Sequence, residues 1–333
     1  MKFYKLFFIL SWMFTSFFGV AQVGKDSLIS SSLEPKAPVV GNLETREIFK
    51  RKGNFFFYWG YNRSAYTTSD IHFWGDGYDF TIHDVEAKDE PTTTFKTYIG
   101  PTSFTVPEYN YRLGYFLNDK TFISIGEDHM KYHIVKQAVR LNGSITYGSN
   151  IGNYDNTEVL VGEGRLSGHL RSPGNSGQVH HGGNGGGSIS IIDSLPKGFV
   201  SNFEHCDGLN DASLEFGRIE QLWISKNTKH ALIVTGTIGS GLVIPDSDAS
   251  VLGQLAYHNQ EKKTYHLAGY SFSASIGVQF DFCKHFFLQT KLKGGYINLS
   301  DIKTTIGGGK ASQHFGFIEP MFVAGYTHPI GKH

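Results

Sequence analysis

The chain has no charge of one sign to spare: 30 Lys and Arg balance 30 Asp and Glu over 333 residues. A protein that grips nucleic acid displaces counterions with a basic excess, so nucleic acid is not an expected partner. Cysteine is scarce, at 2 residues. Beyond the first 21 residues no apolar run approaches the ~18 that a membrane-spanning helix needs. The Leu, Ile, Val and Ala bias of a soluble core is also missing. What is abundant is glycine (40), phenylalanine (27) and tyrosine (17), in a chain only 40% hydrophobic. Many aromatics in a polar chain imply apolar residues interleaved with polar ones.

The first 21 residues predict export. Lys2 and Lys5 form a positive start, Leu6 to Val20 is apolar, and Gly19-Val20-Ala21 is a small-x-small cleavage site, leaving Gln22 as the first mature residue. Residues 22–53 are polar and are expected to form a periplasmic lead-in, with Arg51-Lys52 a solvated charge pair at the membrane edge. An exported chain without a helical span is periplasmic, extracellular or an outer-membrane barrel.

Strand patterning favours the barrel. Between residues 264 and 282 the even positions are Ala268, Tyr270, Phe272, Ala274, Ile276, Val278, Phe280 and Phe282. The odd positions are Gly269, Ser271, Ser273, Ser275, Gly277, Gln279 and Asp281. A strand crossing lipid alternates in this way for about ten residues, whereas soluble strands run about 5–6. Eight segments carry the pattern, near 54–65, 105–117, 121–135, 211–225, 230–243, 263–282, 284–298 and 314–328. Turns at 117–120, 225–229 and 283–285 are short; connections at 67–104, 136–210, 244–262 and 299–312 are long and polar. Short and long connections alternate as in outer-membrane barrels. The fold class is therefore all-β: a transmembrane antiparallel β-barrel of 8–12 strands, even in number, spanning 54–333. Its short turns and both termini are periplasmic and its long loops, 136–210 above all, extracellular. A hairpin around Gly75-Asp76-Gly77 and stretches within 138–206 are the candidates for added strands, and the Gly-, Ser- and His-containing run 172–187 for a flexible loop.

Three stretches carry a family resemblance: Phe57-Tyr58-Trp59-Gly60-Tyr61-Asn62-Arg63-Ser64 running on to Tyr78-Asp79-Phe80; Tyr109-Asn110-Tyr111-Arg112-Leu113-Gly114-Tyr115-Phe116 with Asp128-His129-Met130-Lys131-Tyr132; and Phe203-Glu204-His205 with Asp207-Gly208-Leu209-Asn210. Together they resemble a family of uncharacterised outer-membrane barrels from Bacteroidota-type bacteria. The resemblance implies fold and location and no particular activity. One departure is the C-terminus, where Tyr326 is followed by seven further residues instead of ending the chain on an aromatic.

Alternation assigns Asn62, Glu108, Arg112, Gln279, Asp281, Lys291, Lys293 and Glu319 to the lumen, with Lys291, Lys293 and Glu319 on neighbouring strands where they can pair. Mixed signs favour a salt-bridged filling over a selective pore. Catalytic candidates are His129 with Asp128, His205, and the serines Ser64, Ser124 and Ser213, but no spacing ties one Ser to one His. His129 and His133 on one strand stand roughly 13 Å apart at about 3.3 Å per residue, too far for one ion. Glu127 and His129 share the phase of the lipid-facing Ile123 and Ile125. Either they lie above the hydrocarbon or Gly126 marks a bulge. Glu204-His205-Cys206-Asp207 offers four ligands in a row, yet neighbours on an extended chain point in alternate directions. His180-His181 is weaker still. No metal and no cofactor is expected. Cys206 and Cys283 fall at opposite barrel ends and should be unpaired. The expected partners are outer-membrane lipids, lipopolysaccharide and other outer-membrane proteins. The favoured role is structural, binding or accessory; the alternatives are a lipid A or phospholipid acyl hydrolase or acyltransferase, and a small-solute channel.

Overall fold

The computed structural model describes residues 49–146, 148, 151–163, 196, 198–206, 208–227, 229–254, 265–283 and 285–328. These lie in the second of two compact units, residues 46–333. The signal peptide, residues 22–48 of the lead-in, the 172–187 run and Asp207 lie outside the described residues.

Eight strands close a ring: β1 (Phe55–Asn62), β6 (Tyr109–Phe116), β7 (Thr121–Met130), β13 (Leu209–Ile224), β14 (Ala231–Pro245), β16 (Gly269–Asp281), β17 (Phe286–Lys303) and β18 (Lys310–His328). Each pairs antiparallel with its neighbours in that order, and β18 returns to β1 from Phe55↔His328 to Asn62↔Met321. Closure removes every free strand edge from the wall. The expected minimum of eight is the count in the ring; the extra strands do not enlarge it.

The extra strands instead build an extension at one end. They are β2 (Ala65–Tyr66), β3 (Ser69–Gly75), β4 (Tyr78–Val85), β5 (Ala87–Lys88), β8 (His133–Ile134), β9 (Gln137–Ile145), β10 (Gly152–Asn153), β11 (Thr157–Val161), β12 (Val200–Glu204) and β15 (Asp248–Val251). β3 and β4 form the hairpin expected around residues 75–77, with Gly77 at φ 78°, and β3 continues along residues 310–313 of β18. The connections expected to be polar loops are thus partly strand, and 299–312 shrinks to a turn at 304–309. Their physical basis is an apolar core inside the extension: Ile71, Phe73, Phe80, Ile82, Ile134, Leu141, Val200, Phe203 and Ile302 are all buried there.

The barrel's outer face is apolar between two aromatic rings. Leu113, Ile125, Leu214, Phe216, Ile238, Phe272, Ile276, Leu292 and Phe322 are exposed along its middle. Tyr111, Tyr270 and Tyr296 stand toward the extension end, and Trp223, Phe282, Phe286 and Tyr326 toward the turn end. A short helix, α1 (Phe95–Ile99), lies outside the wall, where Tyr98 packs edge-on to Tyr61 and Phe104 to Trp59.

Candidate functional site: the charged lumen

Inside the barrel, alternation turns polar side chains inward. Asn62, Glu108, Arg112, Ser124, Gln279, Asp281, Lys291, Lys293 and Glu319 are all buried. Arg112 and Lys293 rank among the largest fully buried side chains. Three further carboxylates, Asp128, Asp211 and Glu215, join them. Sequence parity contained the signal for these: Asp211, Ser213 and Glu215 alternate with Ala212, Leu214 and Phe216, and Asp128 keeps the phase of Ser124.

Register explains why they meet. Asp128 and Asp211 are directly opposite on β7 and β13, a like-charge pair that would repel if left alone. Cations bind them, Lys293 from β17 across the lumen and Arg112 from the neighbouring β6. Lys293 Nζ bonds Asp128 and lies 3.4 Å from Asp211 Oδ2. Arg112 Nη2 donates to Asp128 Oδ2 at 2.7 Å and to Ser213 Oγ at 2.8 Å, and lies 3.2 Å from Glu215 Oε1. Lys291 Nζ is 3.5 Å from Glu215 Oε2 and donates to Tyr58 Oη at 3.0 Å. Three cations thus face three carboxylates. Glu319 is opposite Lys293 in register but takes its hydrogen bond from Asn62 Nδ2 instead. The expected pairing among Lys291, Lys293 and Glu319 is therefore replaced by longer-range pairing to β7 and β13.

Gly126 is needed here for close approach. A Cβ there would sit 2.0 Å from Tyr111 O and 2.7 Å from Arg112 Cγ. The β6–β7 register runs unbroken through it, so it marks no bulge. Glu127 instead stands level with Tyr111, whose hydroxyl donates to Glu127 Oε2 at 3.1 Å. That is the level of the aromatic ring at the extension end of the wall, away from the apolar middle of the outer face.

Both ends of this network are closed. Toward the turns Phe56, Tyr58, Phe116, Phe122, Ile219, Ile233 and Phe287 form a second apolar cluster. Phe122 occupies the space left by its cross-strand partner Gly217, where a Cβ would meet the ring at 2.1 Å. Below it Arg51 pairs with Asp281 and is buried, and Asp119 Oδ1 accepts the Arg51 and Lys52 amides at 2.7 and 2.9 Å. Arg51 is therefore part of the plug and not a solvated rim charge; only Lys52 is exposed. Toward the extension the apolar core described above continues the closure. One pocket in the lower lumen, lined by Ser124, Glu215, Thr235, Gln289 and Lys291 among others, has a volume of about 20 Å³. That is room for about one water molecule.

The catalytic candidates are divided: Asp128, Ser124 and Ser213 belong to the lumen, while His129 and His205 lie outside it. His129 stacks on Tyr109 at 4.8 Å and its Nδ1 meets Asn210 Oδ1 at 2.7 Å. Ser124 has the opposite phase of β7, facing the lumen, and Ser213 is occupied by Arg112. Ser64 is buried between β1 and β2. His205 is sealed in the extension, its Nδ1 2.7 Å from Ser247 Oγ and its ring against Tyr132 and Phe203. Burial there pushes its pKa down to about 3, which makes it a weak proton acceptor. Cys206 and Cys283 are both free, in the extension and in the β16–β17 turn respectively.

No protein-family profile and no curated protein sequence matches the chain. Among solved structures it is similar to the outer membrane protein OprG from Pseudomonas aeruginosa, at 9% identity and a TM-score of 0.38, over 85% of this chain and 100% of that one. The outer membrane protein AlkL, solved by solid-state NMR in lipid bilayers, is similar at 8% identity and a TM-score of 0.34, over 92% and 99%. Ail, the attachment invasion locus protein of Yersinia pestis, follows at 11% and 0.26, over 83% and 99%. At these values the similarities carry no argument about what the chain does. The fold rests on its own strand pairing: an antiparallel, closed, eight-stranded barrel.

Proposed function

We propose that this chain is an integral outer-membrane barrel with a sealed lumen, serving as a structural, binding or accessory component that holds a folded β-extension outside the cell. The observation that carries this reading is the inversion of polarity across the wall. Phe272, Ile276 and Leu292 are exposed while Arg112, Asp128 and Lys293 are buried. A soluble barrel would reverse this, since charges are solvated in water and apolar side chains are not. Aromatic rings at both edges of the apolar face support the same reading. The short turns at 117–120, 225–230 and 282–285 belong at the periplasmic side, where the described chain also begins and ends. The signal peptide, a periplasmic lead-in over 22–48 and a Bacteroidota-type origin belong to this proposal too, and rest on sequence alone.

A sealed lumen separates this role from that of a small-solute channel. Eight strands leave an interior just wide enough for side chains to fill, and here charged and apolar layers fill it. The protein inserted into planar lipid bilayers is expected to give no unitary conductance steps, and proteoliposomes to show no swelling in small sugars. Stable, voltage-independent steps from folded protein would refute the sealed barrel and favour the channel.

A further inference from the structure

The extension brings together three side chains that the sequence separates. β8 and β12 pair antiparallel with Glu204 directly opposite His133. His133 Nδ1 lies 3.2 Å from Glu204 Oε2. Cys206, two residues beyond Glu204, shares its face because side chains repeat with period two along an extended chain. His205 between them points the other way, into the apolar core. The Nδ1 or Nε2 of His133, a Glu204 oxygen and Cys206 Sγ all lie within 4.8 Å of one another. The Cys206 thiol donates to the Tyr132 carbonyl at 3.7 Å.

We propose that His133, Glu204 and Cys206 form a zinc-type metal site, with a water as fourth ligand. Nitrogen, oxygen and sulfur donors in one cluster are the set that zinc takes, with bonds of about 2.0–2.3 Å. Tetrahedral donors at such bond lengths stand about 3.3–3.8 Å apart, so closing on an ion asks the cluster to contract by roughly 1 Å. A thiolate ligand selects against calcium and magnesium, which take oxygen. Glu204 and Cys206 are buried, while the His133 side chain is 34% exposed, which leaves the ion a path in from solvent. Binding would release the Cys206 thiol proton to water as the sulfur–metal bond forms. The ion would clamp β8 to β12 and the residues just beyond it. These strands are only 2–5 residues long. Metal binding in this case adds directly to folding stability. The site lies in the extension and stands whether or not the membrane reading holds.

Cobalt(II) is the direct probe, because a thiolate on tetrahedral cobalt gives a charge-transfer band and intense visible d–d bands. Metal-free, reduced, full-length barrel folded in detergent is titrated with cobalt(II). The expected result is both bands saturating at one cobalt per chain and bleaching when zinc is added. Cys206→Ser is expected to lose the charge-transfer band and Cys283→Ser to keep it. Folding of each variant is checked by its heat-modifiable mobility on gels. A second readout covers any variant that folds poorly: zinc should raise the unfolding temperature of the native chain, and chelator should reverse it. His133→Gln and Glu204→Gln should blunt that rise. Absence of a thiolate band in folded native protein, its persistence in Cys206→Ser, or its loss in Cys283→Ser would overturn the site.

Discussion

Lys293→Met is expected to destabilise the barrel by about 3–5 kcal/mol, the cost of removing one partner from a buried ion network. Methionine nearly conserves the volume, so the loss isolates charge from packing. Lys293 is fully buried and its ammonium contacts Asp128, Asp211 and Glu215. Without it Asp211 keeps Ser271, which donates at 2.7 Å, but no other cation among the described residues in direct contact. Lys291→Met is expected to cost less, since Lys291 neutralises only Glu215, which Arg112 also holds. The check is the denaturant midpoint of folded protein in lipid vesicles, with a double-mutant cycle of Lys293→Met and Asp128→Asn to separate the pair from its surroundings. A Lys293→Met effect within about 0.5 kcal/mol, the size of an ordinary surface change, would mean that water reaches the carboxylates and the lumen is open.

The second large effect belongs to the outer face. Ile276→Arg, at the middle of β16, is expected to cost about 2–4 kcal/mol in a bilayer, while Tyr270→Arg near the edge should cost about 0–1. Both parent side chains are exposed and point the same way. Only a solvent that changes with depth can make their replacements differ. In water the two substitutions would be equivalent, each within about 0.5 kcal/mol. Unfolding titrations of both variants in phospholipid vesicles read the difference; equal and small effects would contradict a lipid-facing wall.

The wall was legible in the sequence because each strand repeats its polarity over many residues. In β16 the pattern holds from Tyr270 to Asp281 without a break. Of the extension, the β3–β4 hairpin was legible from its turn at 75–77, and most of the rest was not, for two reasons. Its strands are short, down to the two residues of β8 and β10, and a two-residue strand carries no period. Others, such as β12, are buried on both faces, so nothing alternates. The network was legible only in part. Parity placed Arg112, Lys291 and Lys293 inside, but which carboxylates they meet depends on strand order around the ring, where β7 sits beside β13 across a long connection. Likewise His133 and Glu204 are 71 residues apart and become neighbours only through the β8–β12 pairing. His129 with Asp128 illustrates the limit from the other side. Adjacent in sequence, they belong to opposite faces, Asp128 to the network and His129 to Tyr109 and Asn210.

A sealed membrane barrel makes one statement that neither a soluble barrel nor an open pore can share: along one strand, alternate residues face lipid and dry protein. Nitroxide spin labels placed singly at positions 270–280 of β16, in a background without the two native cysteines, test it in vesicles. Labels at even positions should collide with oxygen, which concentrates in hydrocarbon, and little with a water-soluble nickel chelate. Labels at odd positions should be shielded from both. Nickel accessibility at odd positions would show a water-filled lumen, and nickel accessibility at the central even positions would show that the apolar face is not in a membrane.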